Sequence, residues 1–164
     1  MKKFLIIALL ITLILSSTGC IDTYLGKEML GERVEKEEHR VVEKAKMGYA
    51  FETVPPDSEN TKYSDSSDFS IKKETSYIHV KVEYDQSGWN PVLYSTYRHL
   101  TVTVFSPDGS EYENRTYEDT HEDIIAIGGP ASGTWRIEVE AEGVGHPDYG
   151  QDSFTVTVNA KEPI

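Results

Sequence analysis

The chain has 164 residues, with 28 Asp and Glu against 16 Lys and Arg, a formal net charge of -12 and one cysteine. A surface this negative repels phosphate backbones and anionic headgroups, which argues against nucleic acid as a partner and against electrostatic membrane binding. A single thiol rules out an internal disulfide and zinc clusters built on several thiolates.

The N-terminus is built differently from the rest. Lys2 and Lys3 precede an almost unbroken apolar run, Phe4 to Leu15. At about 12 residues it is too short to cross a hydrocarbon core of roughly 30 Å as a helix. Ser16, Ser17, Thr18 and Gly19 then lead to Cys20. A charged start, a short apolar centre and small residues before a cleavage point describe a signal peptide over residues 1–19. The segment S-T-G-C resembles the lipobox of bacterial and archaeal lipoproteins, with Ser17 where Leu is most common. The resemblance implies that Cys20 is the first mature residue and carries a diacylglyceryl group. Two acyl chains hold a protein to a membrane stably where one does not. The expected location is therefore the extracytoplasmic side of the cell membrane, through lipid on Cys20. Loss of Lys2 and Lys3 with the signal leaves the mature chain at about -14.

Residues 20–48 read as a charged tether. Leu25, Met29, Leu30, Val34, Val41, Val42 and Ala45 are sparse, and several fall at three- or four-residue steps, interrupted by Glu37 and Glu38. That spacing predicts a solvated helix, about 40 Å long if continuous. The alternative is that the segment packs on the domain as a helix or an added strand. Residues 49–164 form the folded domain. Tyr49 to Val54 is a candidate first strand, and Pro55, Pro56 and the polar run Asp57 to Asp68 read as a connection.

Beyond it the period changes to two. Ile78, Val80, Val82 and Tyr84 share one face of a strand. Leu100, Val102 and Val104 do the same, as do Trp135, Ile137, Val139 and Ala141, and finally Phe154, Val156, Val158 and Ala160. Strands apolar on one face and wet on the other belong to antiparallel sheets packed face to face. Phe69 and Ile71, and Ile124 to Ile127, suggest two shorter strands. Ser106-Pro107-Asp108-Gly109 fits a type I turn, and Gly128, Gly129, Pro130 and Gly133 break the chain ahead of Trp135. The expected fold is an all-β, antiparallel, jelly-roll-like β-sandwich of about seven to eight strands.

The order "LTVTVFSPDGS", "DIIAIGGPASGTWRIEVEA" and "DSFTVTV" resembles the pre-peptidase C-terminal domain and is similar to the related P-domain of proprotein convertases, over roughly residues 65–160. The resemblance implies a jelly-roll-like sandwich of the kind appended to exported proteins, with Trp135 as a core plug. The aspartate-rich stretch that the family carries before its S-P-D-G-like turn is replaced by Arg98-His99-Leu100-Thr101, which argues against a calcium site of that type. No protease domain accompanies the module.

No G-x-S-x-G, H-E-x-x-H, P-loop or Rossmann glycine pattern is present. Ser132 lies in a Pro-Gly turn, and His79, His99, His121 and His146 are scattered singly. The expectation is a protein that is not an enzyme and needs no cofactor. Two stretches stand out. Asp108 to Asp123 concentrates acidic residues, reads as a solvent-facing mobile loop, and holds weak calcium candidates in Asp119 and Asp123. It also contains Asn114-Arg115-Thr116, a sequon that makes Asn114 a candidate glycosylation site. Gly143 to Asp152 holds His146, Pro147, Asp148, Tyr149 and Asp152 and, together with Trp89 and several tyrosines, is placed to line a binding surface at one end of the sandwich. The sequence therefore points to a non-catalytic, lipid-anchored binding or accessory module for a protein or glycan at the cell surface. Its rivals are a calcium-dependent adhesive or carbohydrate-binding module and a structural component of the cell envelope.

Overall fold

Ten strands account for most of the described residues: β1 (His39–Ala50), β2 (Lys62–Ile71), β3 (Tyr77–Asp85), β4 (His99–Phe105), β5 (Glu111–Tyr117), β6 (His121–Gly128), β7 (Gly133–Glu142), the short β8 (Gly145–His146) and β9 (Gly150–Gln151), and β10 (Ser153–Pro163). The computed structural model describes residues 38–52, 61–88 and 98–164. The signal segment, Cys20, residues 21–37, Pro55, Pro56 and Trp89 lie outside the described residues.

Two four-stranded antiparallel sheets face each other, in the orders β1-β10-β3-β6 and β2-β7-β4-β5, while β8 and β9 pair only with one another. With that small pair set aside, every connection between successive long strands crosses from one sheet to the other, except the β4–β5 hairpin. This is the jelly-roll arrangement of a sandwich. The four alternating runs of the sequence are its central strands. Ile78, Val80 and Val82 of β3, Val156, Val158 and Ala160 of β10, Leu100, Val102 and Val104 of β4, and Ile137 and Val139 of β7 are fully buried between the sheets. Each of the Val, Leu and Ile side chains contributes about 1.5–3 kcal/mol through the area it removes from water.

The β4–β5 turn forms as expected: Gly109 N donates to Ser106 O (2.9 Å), and Ser106 N to Ser110 O (2.9 Å). The Asp108 carboxylate locks it, accepting from Ser106 Oγ (2.6 Å), Ser110 N (2.9 Å) and Ser110 Oγ (2.7 Å). Those bonds, the Ser106 hydroxyl first, lower the Asp108 pKa to about 2.

Several expectations need correction. Residues 39–48 are neither tether nor helix; they belong to β1, paired with β10 from His39↔Pro163 to Ala50↔Ser153. The domain thus begins near residue 38 and not at 49. Of the expected strand Tyr49 to Val54, Tyr49 and Ala50 end β1, and Thr53 and Val54 lie outside the described residues. The polar run ending at Asp68 is largely strand, since β2 starts at Lys62. Asp108 to Asp123 is no loop: it is the hairpin turn, all of β5, the 118–120 turn and the start of β6.

The physical reason is common to all of them. These segments are the edge strands, and edge strands of a sandwich carry charge on the side that faces the partner sheet. On β1 a bulge between Glu43 and Ala45 shifts the pleat by one residue. Val42 before the bulge and Ala45 and Met47 after it therefore no longer alternate, and their spacing mimics a helical step.

Candidate functional site

The two ends of the sandwich are unlike. Chain entry at Glu38 lies beside the C-terminus, with Ile164 N donating to Glu38 O (2.9 Å). That end otherwise carries only the short connections 72–76, 106–110 and 129–132. The opposite end gathers the long ones, 51–61, 86–98 and 143–152, together with the 118–120 turn. The 11 residues of β10 run from one end to the other, about 36 Å at roughly 3.3 Å per residue.

A buried ion pair holds the far end together. Arg98 (2% exposed) and Asp152 (0%) meet in a bidentate contact, Arg98 Nε to Asp152 Oδ2 at 2.8 Å and Arg98 Nη2 to Asp152 Oδ1. The same two oxygens accept Ser87 N (2.7 Å) and Val144 N (2.9 Å), and Arg98 Nη2 also donates to Ser87 O (2.9 Å). The backbone of Asp152 exchanges hydrogen bonds with Val144 O (2.8 Å) and Phe51 N (2.9 Å). One residue, Asp152, thus ties together the start of 51–61 through its backbone, and both ends of 86–98 and the stem of 143–152 through its carboxylate. Arg suits this position because its planar fork matches a carboxylate at two points. The chain passes so close here that a Cβ at Gly145 would lie 2.3 Å from Phe51 O, so only glycine fits.

A second knot fixes the 118–120 turn to the end of β3. Gln86 N donates to Thr120 Oγ1 (2.9 Å), and Gln86 Nε2 to Glu118 O (2.7 Å) and Tyr84 Oη (3.0 Å). Burial pushes the Tyr84 phenol up to about 12, keeping it neutral. Beside this knot a shallow depression of about 390 Å³ is lined by Glu83, Tyr84, His121, Glu122 and Phe154 among others.

On this base stands the β8–β9 hairpin. Asp148 N donates to His146 Nδ1 (3.1 Å) and Tyr149 N to His146 O (3.3 Å). The His146 and Tyr149 rings lie 4.9 Å apart. Tyr149 is 58% exposed, among the most exposed large hydrophobic residues described. The arrangement can present an aromatic face and adjacent polar groups to a partner in a fixed geometry. A preorganised aromatic of this kind loses little entropy on contact.

The remaining candidates are dispersed. Asn114 is exposed on β5, where its Nδ2 donates to Thr103 Oγ1 (3.0 Å). Asp119 is exposed in the 118–120 turn. Asp123, on β6, already spends both oxygens: Oδ2 accepts Arg115 Nη1 (2.7 Å) and the Tyr117 hydroxyl (2.9 Å), and Oδ1 accepts Ile124 N (2.8 Å). Burial opposes its charge, but these donors outweigh burial and hold its pKa below the usual carboxylate value. Burial and the same carboxylate raise that of Tyr117. The two residues proposed as calcium candidates are thus not joined in a site, and Asp123 serves Arg115. Among the described residues, no group of three or more His, Cys, Asp or Glu is placed to hold a metal ion. His79 stacks on Tyr77 with ring centroids 4.1 Å apart, His121 lies against Tyr117, and His99 begins β4 in the other sheet, so the histidines share no centre.

No family model and no curated protein matches the chain. Among solved structures it is similar to a chain from the disulfide-linked pili of Bacillus endospore appendages (TM-score 0.38, 8% identity, 77% of this chain and 91% of that one). It is similar too to a protein of Sulfurospirillum deleyianum (TM-score 0.35, 9% identity, 68% and 96%). A third is the CBM36-1 domain of a multidomain xylanase from the hindgut metagenome of Trinervitermes trinervoides (TM-score 0.34, 12% identity, 77% and 98%). At these scores the three likenesses carry no argument about what the chain does.

Proposed function

We propose that this chain is a non-catalytic, lipid-anchored binding module of the extracytoplasmic face, held to the membrane through Cys20 and engaging a protein or glycan of the cell surface with the far end of its sandwich. The observation that carries the reading is the asymmetry of the two ends. The strand that leads back towards Cys20 enters at the end with short turns. The ends of the long connections, the clamp that joins those ends and the exposed Tyr149 all lie at the other end. A tether at the first end leaves the second facing outward, where loops on a rigid scaffold serve recognition. The lipobox-like S-T-G-C segment supports the anchor.

Two experiments test the two halves of this reading. Replacing Cys20→Ser is expected to release the protein from membranes or to leave its precursor uncleaved, as read by fractionation and intact mass. A variant that stays membrane-bound and normally processed sinks the anchor. For the binding half, the protein is applied to an array of cell-envelope glycans and exported proteins. Tyr149→Ala is expected to weaken the strongest interaction at least tenfold, the loss usual for a hot-spot aromatic at about 1.4 kcal/mol or more. Tyr112→Ala, in the sheet at the opposite end, is expected to leave it unchanged. Equal effects of the two substitutions would remove the far end from consideration.

A further inference from the structure

The four edge strands each place a charged residue where it faces the opposite sheet, as only β10 does among the central strands, at Glu162. Register shows which residues face the opposite sheet: Asp65 of β2 lies across from Val139, Glu113 and Arg115 of β5 from Val104 and Val102, and Asp123 of β6 from Val82. On β1 the bulge places Lys44 against the buried Glu162 (2.6 Å). Each edge strand therefore turns a charge inward.

Two of these charges also act on the backbone. The bond from Gly129 N to Ser76 O sets the phase of the β3–β6 ladder, so that even-numbered residues of β6 direct their amides outward. One of those outward amides, Ile124 N, is capped by Asp123 Oδ1 (2.8 Å), while the Tyr117 hydroxyl holds Oδ2. In the other sheet, Gly143 N to Thr61 O sets the phase of β2–β7 and likewise turns Ser66 N outward. Asp65 Oδ1 caps it (2.8 Å), and the Tyr63 hydroxyl holds Asp65 Oδ2 (3.3 Å). The same three-part device, tyrosine hydroxyl, inward aspartate and capped outward amide, thus stands on both open sides of the sandwich.

We propose that Asp65 and Asp123 are edge guards that keep copies of this protein from joining through their strands, with Asp123 the critical one. β6 is the edge most in need of a guard. Its Ile124-Ile125-Ala126-Ile127 run is uncharged and rich in β-branched residues, and Ile124 is 51% exposed. The occupant that the edge fits is a second β6. Antiparallel pairing about Ile125 sets Glu122 against Gly128 and Ile124 against Ala126. It uses only even-numbered residues, whose backbone groups point outward, and brings no like charges face to face. The pairing would need the Ile124 amide that Asp123 now occupies. Net charge is a weaker defence, because its long-range part is screened beyond about 8 Å at physiological salt. A partner that binds this domain accordingly does so without adding a strand to these two edges.

The test is the mass of the full chain, purified in mild detergent, by size exclusion with light scattering, each variant first checked for a cooperative melt and a β circular-dichroism spectrum. The wild type is expected to be monomeric and Asp123→Ala to at least double in mass. Ile124→Lys added to Asp123→Ala is expected to restore the monomer. Should Asp123→Ala not fold, Asp123→Asn takes its place: its weaker amide acceptor leaves the edge partly open, and self-association at raised concentration is expected. A folded Asp123 variant that remains monomeric at every concentration overturns the proposal. So does a wild type that already self-associates, or an assembly indifferent to Ile124→Lys.

Discussion

Asp152→Ala is expected to be among the most damaging single substitutions in the domain, at the upper end of the about 3–5 kcal/mol typical for breaking a buried ion pair. The reason lies in what it strands. Arg98 would be left charged and 2% exposed, and Ser87 N and Val144 N would lose their acceptors as well. An orphaned buried donor costs about 1–3 kcal/mol by itself. Arg98→Ala removes the other partner but leaves Asp152 with both backbone donors, so it is expected to cost less, at the lower end of the same range. That ordering distinguishes a carboxylate-centred clamp from a simple ion pair, in which the two losses would match. Denaturant unfolding measures both. Hydrogen exchange adds a local readout: amides of 143–152 and 86–88 are expected to lose protection in Asp152→Ala well before those of β3 and β10, because the clamp joins connections and not core strands.

That clamp marks how far the sequence could be read. The central strands were legible because each has an apolar inner face and a wet outer one over most of its length. The edge strands were legible only in part: Phe69 and Ile71 of β2 and Ile124 to Ile127 of β6 gave two short strands, while the rest of β2, β5 and β1 did not. Asp65, Glu113, Arg115 and Asp123 occupy inward positions that a core pattern reserves for apolar residues. β2 and β5 therefore looked like solvated connections. β1 failed for a second reason, since its bulge breaks the phase just where Val42 and Ala45 would have revealed it.

The candidate site divides along the same line. His146 and Tyr149 stood out in sequence because Gly143 to Asp152 reads as a loop at one end of the sandwich. The clamp beneath them did not, because Arg98 and Asp152 are separated by 54 positions and only the jelly-roll connectivity brings them together. The setting of Asp123 could not be read for want of its partners Arg115 and Tyr117, which lie on the neighbouring strand of the other sheet. An acidic residue near others invites a metal reading until the cation already beside it is known.

Trp135 is the core residue whose removal is expected to cost most. It is 1% exposed, pairs across the ladder with Phe69, and meets the edge of Tyr112 with ring centroids 5.5 Å apart. Its indole Nε1 donates to Ala131 O (2.8 Å), tying the 129–132 connection to the strand that follows it. Just ahead of it, Gly133 has φ +134, and a Cβ there would lie 2.9 Å from Pro107, so the turn between β4 and β5 packs directly on the start of β7. Trp135→Ala leaves a large cavity under that contact and is expected to lose about 3–5 kcal/mol. Trp135→Phe keeps most of the buried area and surrenders chiefly the hydrogen bond, with an expected loss of about 1–2 kcal/mol. The ratio is informative: if the two substitutions cost the same, Trp135 stabilises the fold through Ala131 and not by filling space. Denaturant midpoints followed by circular dichroism decide this, since the signal does not depend on the tryptophan removed. A near-neutral Trp135→Ala would show that the sheets close without it.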